Sequence, residues 1–497
     1  MNFDSRSERS NSLSDIEIIQ GGMGIGVSCY KLAGAVAAEG AMGVVSGTAI
    51  GPVLARKLQE GDPDGYIRQA LNAFPDREIA NQIVKKYFAE EGHEAGRPYK
   101  SVPLFNVDSR GLALKLNMAG AFAEVWLAKN IAAQQSDKPG LIGINLLTKL
   151  QAPTLSALFG AMLAEVDCVI MGAGIPHDIP RQLGNLALGI QARLRFEVSG
   201  SIEESNVTFN PADYPDILKS DFFKSIKLPS FLAIVASNTL ATRLSRNEYP
   251  PTGFIIEGPT AGGHNAPPRD KITYGDRDHV DLGQIAQLSR PFWLAGGYDS
   301  PEMLKEAQAE GATGVQVGSA FAVCEESGIN PSLRERIINQ VMSEGAEIVT
   351  DMLASPTGFP FKIMQLSGTM SEDPVNRERT RVCDLGFLRE AYVDGTSADG
   401  LDIIKYRCAA EPEKDYIQKG GNPEAVIGRI CLCNGLMATI GLGQTRHGIT
   451  EKPIVTAGDT LNEVTHRLVN VYGRHFSAKD VVMYLRGHSS DENISNV

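Results

Sequence analysis

The densest chemistry in the sequence lies at residues 252–270, TGFIIEGPTAGGHNAPPRD. Here an apolar run stops at Glu257 and leads through Gly262 and Gly263 to His264, in a loop stiffened by Pro267 and Pro268. An imidazole titrates near neutrality, so it can take a proton from carbon or orient an anion. The competing reading is a structural histidine hydrogen-bonded within its own loop. Arg269 can steer an anionic substrate or pair with Asp270 at the surface. Two further apolar runs end in small residues: PFWLAGGYDS (residues 291–300), with Gly296 and Gly297, and GATGVQVGSAFA (residues 311–322), with Gln316, Val317, Gly318 and Ser319. Glycine lets backbone N–H groups come close to a phosphate, and a helix start adds a favourable dipole. One such pair is often only a tight turn, but two in succession read as a phosphate cradle.

These exits need strands behind them. Eight short apolar runs recur, at residues 16–20, 43–46, 141–147, 167–172, 230–237, 253–257, 291–295 and 314–318. Each is nearly continuous in apolar character, as expected of parallel strands covered on both faces. Helix-like segments lie between them at residues 30–39, 121–128, 155–163 and 300–310, the last with a serine cap and a first-turn proline. This alternation predicts an α/β fold, a (β/α)8 TIM barrel, with an open doubly wound sheet as the rival. In such a barrel the chemistry sits at the carboxyl ends of the strands.

The rhythm is interrupted at about residues 61–136, which hold a charged helical stretch (77–91) and a ninth apolar run (102–107), and at about 196–227, where a hairpin is expected. The expected organisation is a disordered tail over 1–13, a barrel over 14–328 carrying these two insertions, a mainly helical C-terminal extension over 329–485 and a disordered tail over 486–497. Helices are expected at 331–346 and 460–471.

The first strand runs into IIQGGMGIGVS, placing Gly22, Met23 and Gly24 at its exit. The spacing is not a dinucleotide-binding fingerprint, and no acidic ribose-binding residue follows at the proper distance. What remains is a flat face of backbone with one soft side chain, suited to a planar ring, or a plain glycine-rich turn. In the extension Cys383, Cys408, Cys431 and Cys433 gather four of the seven cysteines. Four thiolates would complete a zinc or iron–sulfur site, although the only close spacing is C-x-C; reduced buried thiols are the alternative.

The formal charge of −12 over 497 residues includes no long basic block, so neither nucleic acid nor an anionic membrane surface is an expected partner. The polar first residues lack a signal-peptide core, and no segment approaches the roughly 20 apolar residues of a membrane span. An odd cysteine count without an export signal points to a cytoplasmic protein.

Together QGGMG (residues 20–24), GINLL (143–147), EGPTAGGH (257–264), AGG (295–297) and QVGSAF (316–321), in this order, resemble the nitronate monooxygenase (2-nitropropane dioxygenase) family, which also includes FMN-dependent enoyl-thioester reductases. The resemblance covers about residues 16–328. It implies non-covalent FMN, with its ring over the first-strand loop and its phosphate at the last two strand ends. Carried over by position, FMN-contacting residues are Gly22, Met23, Gly24, Asn145, Glu257, Gly262, Gly263, Gly296, Gly297, Gln316, Val317, Gly318 and Ser319, and the catalytic residue is His264. Glu257 stands where many relatives have glutamine, and His264 is followed by Asn-Ala-Pro-Pro rather than the usual further glycine. The implied activity is an FMN-dependent oxidoreductase, a nitronate monooxygenase oxidising alkyl nitronates or nitroalkanes with O2 to carbonyl and nitrite. The alternatives are an NAD(P)H-dependent enoyl-thioester reductase, a metal-assisted tailoring enzyme and a flavin-binding accessory subunit. Expected partners are a small-molecule substrate with O2, or NAD(P)H in the alternative, and a homo-oligomer is compatible with the chain.

Overall fold

Eight strands form one parallel sheet: β1 (Ile18–Gln20), β2 (Gly43–Ser46), β3 (Ile142–Leu147), β4 (Cys168–Gly172), β5 (Ser230–Val235), β6 (Gly253–Glu257), β7 (Phe292–Ala295) and β8 (Gly314–Val317). The protein is described by a computed structural model over residues 12–270 and 273–488. Neighbouring strands run β1, β8, β7, β6, β5, β4, β3, β2. The sheet closes through a parallel bridge between Ile19 and Met42. There the Gln20 N–H donates to the Met42 carbonyl at 2.9 Å and the Met42 N–H to that of Ile18 at 3.0 Å. Closure rules out the open doubly wound sheet, and all eight expected runs supply a barrel strand.

Alternate strand residues explain the continuous apolar character. Ile19, Val44, Ile170, Leu232, Ile255 and Trp293 fill the barrel interior, while Ile18, Val45, Ile144 and Val169 face the helices. Both faces are dry, so neither tolerates polar alternation. The indole N–H of Trp293, buried among these apolar groups, donates to the Ile16 carbonyl at 2.7 Å.

The outer layer is built from α1 (Tyr30–Ala38), α2 (Leu112–Gln135), α3 (Gln151–Leu163), α4 (Ile179–Ala187), α5 (Asn238–Ser245), α6 (Leu282–Ala286) and α7 (Pro301–Ala309). Ser300 caps α7 by accepting from the Met303 N–H, with Pro301 in the first turn. The stretch expected as an insertion over 61–136 ends in α2, which lies between α1 and α3 and covers the barrel. The apolar run 102–107 forms no strand: Phe105 is buried against Phe387 of the extension, and the Val107 N–H donates to the Tyr406 hydroxyl at 2.7 Å. In the second interruption the hairpin pairs Ala192–Phe196 with Ser205–Phe209, starting before the expected segment.

After β8 the chain makes one short helix, Ser319–Ala322, and then α8 (Pro331–Ser343), β9 (Ile348–Asp351), β10 (Phe361–Met364), α9 (Leu432–Thr439), α10 (Leu461–Tyr472) and α11 (Ala478–Leu485). β9 and β10 pair antiparallel. A further ladder, Glu390–Thr396 with Asp402–Arg407, also pairs with Val198–Ser199 and ties the extension to the second interruption. α11 packs against both α1 and α7, in the place the eighth covering helix takes in a (β/α)8 barrel. Just beyond it the Arg486 guanidinium pairs with Glu17 at 2.9 Å and donates to the Glu39 carbonyl. The tails expected over 1–13 and 486–497 fall largely outside the described residues; inside them, Ser12 caps the turn Leu13–Asp15.

Candidate active site

The carboxyl strand ends open on a cavity of about 230 Å3. The β1 exit forms one wall. The buried Gln20 side chain accepts from the Val44 N–H at 2.9 Å and donates to Ser28 Oγ at 2.8 Å. Ser28 Oγ in turn accepts from the Met23 N–H at 2.8 Å, and Ser46 donates to the Gly24 carbonyl at 2.6 Å. These bonds fix the glycine-rich loop. Gly22 has no room for a side chain, since a Cβ would fall 2.2 Å from that of Asn145.

Opposite lie the β7 and β8 exits. Gly296 and Gly297 both adopt positive φ (92° and 82°), a conformation that favours glycine and turns this strand end sharply. Gly22, Met23, Gly24, Asn145, Glu257, Gly262, Gly263, His264, Gly296, Gly297, Gln316, Val317, Gly318 and Ser319 all line this one cavity. The structure thus brings every expected FMN-contacting residue together with His264.

The metal reading finds no support. Among the described residues no group of three or more His, Cys, Asp or Glu side chains is placed to hold a metal. Cys433 alone of the four lines the cavity, and it packs with Ile25, Val53 and Leu442. Burial, and then the charge of neighbouring cysteines, push these thiols up, Cys383 to about 11.

A second cavity, of about 410 Å3, meets the first at Ala173, Ile234, Glu257 and His264. Arg269 lines it, and Asp270 pairs with Arg277 at 3.3 Å rather than with Arg269. His264 therefore stands at the junction of two spaces. Its backbone is held by β10 and the residue before it: the Lys362 N–H donates to the Gly263 carbonyl at 2.9 Å and the Asn265 N–H to that of Pro360 at 3.0 Å. Its Nε2 lies 2.8 Å from Ser355 Oγ, and its ring sits edge-on to Phe361.

Burial, and then the nearby Lys149 ammonium, hold the His264 pKa well below the usual imidazole range. At neutral pH the ring is uncharged and offers a lone pair. Burial also raises Glu257 to about 7 and lowers Lys149 to about 7. Two groups that exchange protons near neutrality, Glu257 and Lys149, thus accompany the uncharged His264.

Sequence reasoning missed the share of the extension. Phe361, Leu436 and Val455 supply apolar wall, and the segment 456–460 closes over the β6 and β8 exits. The Gly263 N–H donates to Thr456 Oγ1 and the Gly458 N–H to Ser319 Oγ, each at 2.8 Å, and the Asp459 N–H donates to the Thr260 carbonyl at 3.0 Å. The small residues of TAGDT (456–460) were the available signal, but nothing local to them names their partner. Lys149, Ser355 and Thr357 were missed for the same reason.

Fold and site together define a closed (β/α)8 barrel with a histidine-bearing cavity at the carboxyl strand ends. Residues 221–360 match the model of the nitronate monooxygenase family. Over 126 residues the chain is 30% identical to a probable nitronate monooxygenase of Bacillus subtilis, covering 25% of this chain and 36% of that protein. Over 109 residues it is 33% identical to the nitronate monooxygenase of Pseudomonas aeruginosa, covering 21% of this chain and 31% of that one. The chain thus spans about a third of the length of these curated relatives. Among solved structures it is similar to FabK from Thermotoga maritima (15% identity, 95% of this chain and 96% of that one, TM-score 0.43). It is also similar to nitroalkane oxidase from Streptomyces ansochromogenes (14%, 98% and 99%, TM-score 0.41). The fold assignment rests on the strand register and closure described above.

Proposed function

We propose that this protein is an FMN-dependent oxidoreductase that oxidises alkyl nitronates, and nitroalkanes after loss of a proton, with O2 to carbonyl and nitrite. The observation that carries this reading is His264, uncharged and fixed at the junction of two cavities, one of which gathers every residue expected to hold FMN.

The residues present fit that cofactor. Gln316 Oε1 is buried without a hydrogen-bond partner, an acceptor left for a donor on a ligand. A Cβ at Gly263 would meet nothing within 4 Å, and one at Gly318 would meet only Met23, at 3.6 Å. Side chains there would take up space the cofactor needs. The residues at 22–24 with Asn145 would hold the ring, and those at 296–297 and 318–319 the phosphate. When bound, FMN supplies the electron acceptor, while the protein supplies geometry and charge.

The protein's own part is handling the proton. A nitronate arrives already deprotonated and needs only to be oriented by the His264 ring and kept from water by the apolar wall that includes Phe361, Leu436 and Val455. A neutral nitroalkane must first lose its Cα proton, and His264 is the uncharged base at hand. His264→Ala is expected to keep FMN but to lose at least about a hundredfold in kcat/KM for neutral nitroalkanes, with a smaller loss for nitronates. Oxygen uptake and nitrite release with both substrates check this; equal turnover by the variant would remove His264 from the mechanism.

The second cavity supports one alternative. Its about 410 Å3 next to His264 exceeds what a small nitroalkane needs, which favours a longer substrate such as an enoyl thioester reduced at the expense of NAD(P)H. Rapid loss of the flavin absorbance on mixing with NAD(P)H would favour that reading over the first.

A further inference from the structure

A hydrogen-bonded chain runs from His264 to a half-buried lysine, Lys149, through two hydroxyls of the extension. His264 Nε2 lies 2.8 Å from Ser355 Oγ, Ser355 Oγ 2.9 Å from Thr357 Oγ1, and Thr357 Oγ1 3.2 Å from Lys149 Nζ. Ser355 is fully buried. Among the described residues no carboxylate pairs with Lys149: its ammonium has the Thr357 hydroxyl and the face of Phe359, 4.7 Å from the ring centre. An ammonium drawn partly out of water without a counter-charge is costly unless it can give up its proton.

We propose that Lys149, Thr357 and Ser355 form a proton relay that decides which ring nitrogen of His264 carries the proton, and so whether His264 takes a proton from a substrate or gives one. The proposal rests on the reading of His264 as the acid–base group of the site.

The hydroxyls permit both polarities. With Lys149 charged, Nζ donates to Thr357, Thr357 to Ser355, and Ser355 to His264 Nε2, so the ring's own proton is on Nδ1. With Lys149 neutral the chain reverses: Nε2–H donates to Ser355, Ser355 to Thr357, and Thr357 to the Nζ lone pair. The Thr357 N–H also donates to Ser355 Oγ, at 3.4 Å, and a hydroxyl with one donor and two acceptor sites satisfies every partner either way.

In the second polarity Nδ1 has a free lone pair. Abstraction from a nitroalkane then balances as follows. The Cα proton moves to Nδ1 and the C–H electron pair stays on the substrate as nitronate. The Nε2 proton passes to Ser355, the Ser355 proton to Thr357, and the Thr357 proton to Nζ. Net, one proton moves from carbon to Lys149. An imidazole whose pKa lies well below the usual range holds a proton poorly, and Lys149, at about 7, is the better final acceptor. The relay members thus act through His264 as positioning residues. The other titratable or charged groups facing them are Cys433 on α9, which acts on Lys149, Glu257 at the end of β6, which shares both cavities with His264, and Arg429, whose guanidinium donates to the Ser355 carbonyl.

The test is the tautomer of His264, read by NMR on full-length protein with FMN and 15N-labelled histidine, its signals assigned with His264→Gln. In the wild type, Nε2 should change from acceptor to N–H as pH rises through about 7. Lys149→Met, and independently Thr357→Val, which leaves both ends of the relay in place, should hold one tautomer from about pH 6 to about pH 9. In the same variants the rise of kcat/KM with pH for a neutral nitroalkane should flatten. A wild-type ring that keeps one tautomer, or a switch that survives in both variants, would overturn the relay. The spectrum needs no turnover, so a switch without nitronate oxidation defeats only the functional reading. Nitronate oxidation without a switch defeats only the relay.

Discussion

Glu257 ends β6 with its carboxyl facing both cavities, and burial raises its pKa from 4.5 to about 7. A raised carboxyl binds its proton more tightly in the folded than in the unfolded state, so stability falls as pH rises from about 4.5 to about 7 and then levels. At about 1.4 kcal/mol per pKa unit the fall is on the order of 3 kcal/mol. Lys149 works in the opposite sense and in another window. Its depressed pKa makes the folded state bind fewer protons between about 7 and 10.5, so stability rises there. Glu257→Gln is expected to remove the acidic-side fall, measured by urea unfolding of the flavin-free protein at several pH values; an unchanged slope would show that the carboxyl is not held as described. At this scale the sequence was legible where chemistry follows a strand exit, as at His264, Gly296 and Ser319. It was silent on Lys149, Ser355 and Thr357, because their meeting depends on segments about 200 residues apart in the chain.

The elements that make the site meet at a backbone contact with no slack. A Cβ on Gly262 would lie 2.7 Å from the Ala457 carbonyl carbon and 2.9 Å from the Gly458 nitrogen. The segment 456–460 is bonded to the β6 exit and to Ser319, so displacing it disturbs the expected ring and phosphate sites together. Gly262→Ala should therefore weaken FMN binding at least tenfold, about 1.4 kcal/mol, while far-UV circular dichroism stays as in the wild type. Quenching of flavin fluorescence during titration measures this, and an unaltered Kd would contradict it. The barrel strands were legible because each is apolar on both faces and ends in small residues. The run 102–107 has the same composition but packs as irregular chain under Phe387. α11 was not expected as a barrel helix, since an amphipathic stripe says that a face is buried but not against what.

Across the whole molecule barrel and extension share one core. Val455, Leu461, Val464, Leu468, Val481 and Leu485 belong to the same apolar cluster as Leu32, Val36 and Val317. Arg379 and Glu451, both buried, form a two-pronged pair at 2.9 Å within the extension. The complete chain should accordingly unfold in a single thermal transition, and a chain ending at residue 328 should fail to give a soluble, cooperatively folding product. Calorimetry of the full chain and circular dichroism of the shortened one check this, and an independently melting barrel would show that the extension only decorates it. Among the described residues no helix is long and apolar enough to cross a membrane.

The central claim, a cavity that holds FMN beside His264 for nitronate oxidation, is tested most directly by anaerobic titration of the FMN-loaded protein with a small alkyl nitronate while following the visible flavin bands. The account predicts that the oxidised bands are lost as nitronate is added and return on admitting oxygen. Bands that persist through excess nitronate, or a protein that retains no FMN to titrate, would contradict it.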